Sequence, residues 1–303
     1  STGEVVLMEV FDVRLHLLWS DILIFLLVAS LCVFVVTVVR NPLARKRWSQ
    51  VFESRIGSAS FLVILFYVLI ALTDSVHFQK KLDQAGDSGE VHYAPEVTSL
   101  LDLALAPMFG RDEKTYSAPF AIHSFAKENM ELPEGGVMRD YPRLEHGGSH
   151  LDDDAQHEAD IVVKSMTVVG WTLVPVLILL FLHHSFMKKR DSRLPWPVIY
   201  FTFSAIVVVS SWALYMSQFY HVLGTDKVGQ DVLYGAVKAV RTGVLIGTLA
   251  TLVTLPLAVL LGISAGYFRG WVDDVVQYIY TTLNSIPGIL LIAASVLLID
   301  VYI

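Results

Sequence analysis

Six long apolar runs dominate this chain, at residues 22–39, 57–76, 161–182, 196–216, 243–267 and 275–299. A helix needs about 20 mostly apolar residues to cross a hydrocarbon core of roughly 30 Å. The runs therefore predict an all-α polytopic membrane protein with about six transmembrane helices. Asp74 and Lys164 lie near the ends of the second and third runs, where a charged head can reach the interface. Composition agrees: 54% of the 303 residues are hydrophobic and 17% charged, against about 45–50% and about 25% in soluble domains. That balance excludes an ordinary soluble enzyme and a disordered chain. The net charge of −7 gives no support for nucleic-acid binding. The single cysteine, Cys32, lies inside the first run, which excludes an internal disulfide and a multi-cysteine metal site. The first run is no signal peptide, because its basic cluster follows it rather than precedes it.

Charge asymmetry predicts orientation. The link 40–55 holds Arg40, Arg45, Lys46, Arg47 and Arg55 against Glu53. The link 183–195 holds Lys188, Lys189, Arg190 and Arg193 against Asp191. Both read as cytoplasmic. Between them, segment 79–160 carries 7 Lys and Arg against 17 Asp and Glu, a balance of −10, and belongs outside. It mixes apolar pieces with Pro133, Gly135, Gly136, Gly147 and Gly148, and predicts a small, partly ordered cap on the membrane domain. The chain then runs out–in–out–in–out–in–out. The N-terminal stretch, with Val10, Val13, Leu17 and Leu18, reads as an interfacial helix. No internal repeat or low-complexity tract is present.

Few residues offer chemistry. His146, His150 and His157 lie among Asp152, Asp153, Asp154 and Glu158, and imidazole with carboxylate can bind a divalent metal. Their spacing matches no i,i+4 helical pair, and the two glycines point to a mobile, solvated acidic loop, so no metal site is assigned. His183 and His184 read as interface anchors beside the basic link. No GxSxG, HExxH or P-loop occurs. This leaves no catalytic or cofactor-binding residues to name, and any energy source must sit on another chain.

The last third is the informative part. Gly224, Thr225, Asp226 and Gly229 make a turn-rich lead-in, in which Thr225 or Asp226 can cap the next helix. That helix, 231–241, is short and amphipathic, and it feeds the fifth span. Gly243/Gly247 and Gly262/Gly266 are small-xxx-small pairs that let helix backbones approach in lipid. Pro256 and Pro287 fall inside spans, and Asn284 and Ser285 add polar groups before Pro287. Interhelical packing and a pathway lining both fit those groups.

The ordered string G-T-D-x-x-G-x-D-V-L, then A-G-Y-F-x-G-W-V-D and a span with P-G-I-L-L, resembles the inner-membrane permeases of dipeptide, oligopeptide and nickel ABC importers. The matching residues are Gly224, Thr225, Asp226, Gly229, Asp231, Val232, Leu233, Gly235, Arg241, Ala265, Gly266, Tyr267, Phe268, Gly270, Asp273 and Pro287, within about 80 of the 303 residues. The stretch 41–76 also resembles the family's first span. Gln230 stands where the family commonly has Arg, and an extra span precedes the family-like first one. The acidic loop and spans three and four form a further insertion. The chain ends at Ile303 before the E-A-A-x3-G loop that grips the ATPase in this family, and so reads as a fragment or truncation.

The resemblance implies three parts: 1–56 with the extra helix and basic link, 57–216 with the family-like span, external loop and two inserted spans, and 217–303 as the first part of the permease core. It implies a non-enzymatic, multi-pass permease subunit of a bacterial inner-membrane ABC importer for peptides or a similar small solute. Its partners would be a second permease subunit, two ATPase subunits carrying ATP and Mg, an external substrate-binding protein, and lipid. The implied pathway and packing residues are Gly224, Thr225, Asp226, Gly229, Asp231, Arg241, Gly262, Gly266, Tyr267, Gly270, Asp273, Asn284 and Pro287. A membrane sensor or scaffold with an acidic ligand- or protein-binding loop would explain the cap but not the ordered motifs. An intramembrane metalloenzyme would need histidines inside the spans.

The charge pattern makes one direct prediction. A cysteine placed at Ser49, with Cys32 changed to Ser, should resist an impermeant maleimide added to intact cells and react after permeabilisation. Labelling in intact cells would reverse the orientation.

Overall fold

The computed structural model describes residues 5–10, 13–80, 97–131, 137–187 and 193–302. Its helices are α1 (Trp19–Arg40), α2 (Pro42–Glu53), α3 (Arg55–Asp74), α4 (Leu100–Ala104), α5 (His157–Met187), α6 (Trp196–Met216), α7 (Val232–Phe268), α8 (Trp271–Ser285) and α9 (Gly288–Tyr302). Among the described residues, α1, α3, α5, α6 and α7 are each long and apolar enough to cross a membrane, and a sixth crossing is available if α8 and α9 count as one bent span. The protein is an all-α polytopic membrane protein with multiple crossings, as its apolar runs require.

Three local expectations are corrected. The run 275–299 is not one straight span: α8 and α9 meet at a bend of 89°. Pro287 has no N–H to continue the ladder, and it pushes the preceding residue out of the helical region. Ile286 accordingly sits at φ −87°, ψ 124°. Residues 231–241 are not a separate helix, because α7 runs unbroken for 37 residues, about 55 Å. That exceeds the thickness of a hydrocarbon core of roughly 30 Å. The N-terminal stretch is strand, not helix. Val13, Leu15 and Leu17 alternate with Arg14 and His16, a period of two. Strands β1 (Val5–Val10), β2 (Val13–Leu17), β3 (His77–Lys80) and β4 (Thr98–Ser99) form an antiparallel sheet in that order. A separate hairpin pairs β5 (Glu128–Glu131) with β6 (Val137–Asp140).

The basic link folds as α2. The Asn41 side chain accepts from the Leu43 and Ala44 N–H groups at 3.1 and 3.4 Å, and Pro42 opens the first turn. The stretch Lys188–Ser192 of the second basic link lies outside the described residues. The chain divides into two compact units, Ser1–Leu245 and Ile246–Ile303. In the first, α5 packs on α6 and α6 on α3. Trp212 Nε1 donates to Ser165 Oγ at 3.0 Å across the α5–α6 pair. In the second, no described side chain is buried, as suits helices whose neighbours are lipid or other chains.

The described parts of the acidic segment form a packed cap at one end of the first unit. Ile122, Leu151, Met216, Tyr220 and Val222 make one buried cluster, and Leu101, Leu105 and Met108 a second beside Ile70, Leu233 and Val237. Gly147 and Gly148 do not loosen this cap. A Cβ on Gly148 would fall 2.4 Å from Ile122 Cγ2, so glycine is what lets the chain pack there. The expected loop is therefore anchored at Gly147, Gly148 and Leu151, which are buried, while Asp152, Asp153 and Asp154 remain exposed.

Charges on the cap side of the spans are paired inside the protein instead of reaching out to the interface. Tyr234, Lys238 and Arg241, spaced four and three residues apart, lie on one face of α7. Lys238 Nζ sits 2.6 Å from Asp74 Oδ1 at the end of α3 and 2.9 Å from Asp102 Oδ1 on α4. The Tyr234 hydroxyl donates to the same Asp102 oxygen at 2.8 Å, and Ser99 Oγ donates to Asp74 Oδ1 at 2.8 Å. Arg241 pairs with Asp21 at the start of α1, and His77 Nδ1 lies 3.0 Å from the other Asp21 oxygen. Asp21 is wholly buried. The start of α1, the end of α3 and the start of α7 thus share one face, as the predicted alternation of crossings requires.

Removing one partner of a buried pair typically costs about 3–5 kcal/mol, because the other charge stays in a poorly solvated site. Arg241→Met should therefore lower the unfolding temperature in detergent by several degrees, and adding Asp21→Asn should recover part of the loss. An unchanged unfolding temperature in the single variant would deny this pair a structural role.

Candidate functional site

At the head of α7 the G-T-D stretch folds into one interlocked turn. Gly224 and Gly229 take φ of +76° and +84°, which L side chains rarely adopt. Space forbids a side chain as well, since a Cβ would lie 2.3 Å from Ser117 O at Gly224 and 1.7 Å from Glu113 O at Gly229. Thr225 does not cap α7. Its hydroxyl donates to Thr115 O at 2.8 Å, and its N–H donates to Ser117 Oγ at 3.1 Å. Asp226 closes the turn by accepting from the Val228 and Gln230 N–H groups at 2.9 and 3.0 Å. The cap of α7 is Asp231, whose Oδ1 accepts from Leu233 and Tyr234 N–H at 2.8 and 3.1 Å. Asp231 prevails because it directly precedes the first helical residue, whereas Thr225 and Asp226 are committed elsewhere.

The second Asp231 oxygen reaches His221 Nδ1 at 2.7 Å, and His221 Nε2 lies 3.3 Å from Glu113 Oε1. Glu113 also accepts from the backbone N–H groups of Glu145, His146 and Gly147 at 3.0, 2.8 and 3.3 Å. A buried imidazole thus joins the acidic cap to the cap residue of α7. Burial alone would lower the His221 pKa, but the hydrogen bonds and charges of Asp231 and Glu113 outweigh it and raise the value to about 9. Burial alone would raise that of Glu113; bonds from His221 and from the His146 and Glu145 backbone bring it down to about 2. Asp102 is likewise held low: burial opposes ionisation, but the Ser99 N–H, Lys238 and Tyr234 more than compensate.

Beside the turn opens a cavity of about 500 Å³, lined by Val97, Met108, Phe109, Asp112, Gln230 and Tyr234 among others. The Phe109 and Tyr234 rings lie 6.0 Å apart at its wall.

The other anticipated residues are not drawn into this turn. Arg241 belongs to the Asp21 pair. A Cβ on Gly243, Gly247, Gly262 or Gly266 would meet nothing within 4 Å among the described residues. Tyr267 stacks edge-on against Phe268. Gly270, at φ +59°, makes the turn from α7 into α8. Asp273 lies in the first turn of α8 and accepts from Gln277 Nε2 at 3.3 Å, while Asn284 Nδ2 donates to the Tyr280 hydroxyl at 3.4 Å. Pro287 sets the bend. The three cap histidines are separated by their partners. His150 Nε2 lies 2.9 Å from Asp160 Oδ2, His157 Nε2 donates to Phe120 O at 2.7 Å, and the His146 backbone serves Glu113. Among the described residues no group of three or more His, Cys, Asp or Glu could hold a metal ion. His183 Nδ1 sits 2.9 Å from the Tyr200 hydroxyl and packs on Trp196. Glu113, His221, Asp21, Asp102 and Lys238 escaped the sequence reading, and Asp74 was read only as a charge at the interface. The one available signal was opposite charges at the ends of apolar runs, which says nothing of who meets whom.

Comparison with known proteins finds similarity over about a quarter of the chain. The glutathione transport system permease protein GsiD of Pectobacterium atrosepticum is 36% identical over 76 residues, 25% of each chain. The oligopeptide transport system permease protein OppC of Mycobacterium tuberculosis is 33% identical over 73 residues, 24% of this chain and 25% of that one. The dipeptide transport system permease protein DppC of Lactococcus lactis is 33% identical over 78 residues, 26% of this chain and 23% of that one. Its curated relatives are ABC transport permeases. The similarity spans about a quarter of the length of these permeases. No family model matches the chain, and no solved structure matches it.

The titrations predict where the turn is firmest. The raised His221 pKa stabilises the fold fully below about pH 6.5, and this contribution is lost as pH rises through about 9. The lowered Glu113 pKa stabilises it above about pH 4.5, with loss as pH falls toward about 2. Hydrogen exchange of the 224–231 amides, corrected for intrinsic rates, should thus be slowest between about pH 4.5 and 6.5 and quicken steadily above. His221→Gln should remove the alkaline limb. The same limb in both proteins would detach it from His221.

Proposed function

We propose that this chain is a permease subunit of an ABC importer in a bacterial inner membrane, forming part of the pathway for peptides or a similar small solute. The similarity to glutathione, oligopeptide and dipeptide transport permeases carries this reading. The G-T-D turn supports it, because each motif residue has a stated task there: Gly224 and Gly229 allow close approach, Thr225 and Asp226 shape the turn, and Asp231 caps α7. A helix head locked in this way suits a part that moves as one body when a pathway opens.

On this reading the chain performs no bond chemistry. ATP and Mg reside on two partner ATPase subunits, and an external binding protein delivers the solute to the cap side. A second permease subunit supplies the neighbour that the exposed Gly262/Gly266 face and the α8–α9 pair lack within this chain. Tyr267, Asp273, Asn284 and Pro287 then belong to the pathway or to that contact.

Cells lacking the protein should lose uptake of radiolabelled di- or oligopeptide, and the wild-type gene should restore it. Gly229→Val, whose side chain would collide with Glu113 O, should reach the membrane yet restore uptake only to background. Unchanged peptide uptake in the deletion strain would refute the importer reading.

A further inference from the structure

On the cap side, Lys164, Lys238 and Arg241 each meet a carboxylate within 4 Å. The opposite ends of the spans behave differently. Among the described residues, the side chains of Arg40, Arg45, Lys46, Arg47, Arg55 and Arg193 have no ion pair or hydrogen bond, although Glu53 lies in the same region. Five of these cations flank or lie on α2, which sits at a membrane edge because it joins the spans α1 and α3. Among the described residues, nothing supplies their counter-charge.

The same edge contains a cavity. Where α2 turns into α3 and the chain enters α6, about 690 Å³ opens between Phe52, Phe61, Leu62 and Ile199 on the apolar side and Arg193 and Glu53 on the polar side. That volume falls within the roughly 300–1,000 Å³ of small-molecule sites. The nearby hydroxyls are already used, since Ser49 Oγ donates to Lys46 O at 2.9 Å and Ser58 Oγ donates to Phe52 O. Arg193 is therefore the donor left for an anion, and Glu53 the acceptor left for a hydroxyl.

We propose that this cavity binds one anionic phospholipid of the phosphatidylglycerol type. The phosphate sits on Arg193 within the field of the α2 cations, the glycerol hydroxyls donate to Glu53, and an acyl chain lies against Phe61, Leu62 and Ile199. An apolar wall continuous with two spans suits a lipid better than a soluble anion, and the unpaired cations select an anionic headgroup. This inference does not depend on the transport reading, because it needs only that α1, α3 and α6 span a bilayer.

The test is native mass spectrometry of the purified full chain in detergent, titrated with phosphatidylglycerol, phosphatidylethanolamine or phosphatidylcholine. One phosphatidylglycerol per chain should be retained, in at least about fivefold preference to phosphatidylcholine, the equivalent of about 1 kcal/mol for one surface cation. Arg193→Gln should cut retention about fivefold, Arg193→Lys should keep most of it, and Leu62→Trp should fill the cavity and remove it. Ile199→Trp serves if Leu62→Trp fails to fold. Arg139→Gln, on the cap side, should change nothing. Equal retention of the three lipids, or full retention in both Arg193→Gln and the cavity-filling variant, would overturn the proposal. Unchanged lipid retention with loss of an acidic partner chain from the assembly would assign the cations to protein docking and overturn it too.

Discussion

The pairing of α7 cations with carboxylates from three other helices is the constraint on which the rest of the cap-side structure depends. Lys238 faces Asp74 and Asp102, and Arg241 faces Asp21. Each partner lies at the end of an apolar span or just beyond it, where full hydration is lost but lipid has not begun. A lone charge there is costly, and a mutual pair with added hydrogen bonds is tolerable. Ser99, Tyr234 and His77 supply those bonds. With the pairs in place, the positions of α1, α3 and α4 are set relative to the head of α7, and the small sheet joining β2 to β3 and β4 closes over them.

Above these pairs the motif turn joins close backbone packing to another buried charge cluster. Gly224 and Gly229 bring backbone onto backbone, and His221 carries a positive charge between Glu113 and Asp231. The acidic balance of the external segment thus has a structural component. Glu113, Asp102 and Asp160 are acids committed to internal partners, so the segment's formal charge overstates what it presents to solvent. The acidic segment is bound into the head of α7.

The opposite face has the reverse character, with cations left open and an apolar cavity behind them. The span-end cations Lys238 and Arg241 are thus paired on the cap side, whereas those around α2 have no ion pair among the described residues. In the second unit, 246–303, no described side chain is buried within the chain.

Sequence alone determined the class of fold, five of the six apolar runs as single helices, and the resemblance of the last third to peptide permeases. These follow from length, hydropathy and local order, which act along the chain. Within the candidate site it marked Gly224, Thr225, Asp226, Gly229 and Asp231 but misassigned the cap, since choosing Asp231 over Thr225 depends on what else each side chain touches. It read 275–299 as one span, because hydropathy does not register the bend that Pro287 imposes. It read the N-terminal stretch as helix, because the partner strands that make it a sheet come from 77–80 and 98–99. Only tertiary structure decided that His221 lies between Glu113 and Asp231, and that Asp21 meets Arg241 across 220 positions. The physical reason is that a buried charge is defined by its partner, and partners brought together by folding leave no trace in local spacing.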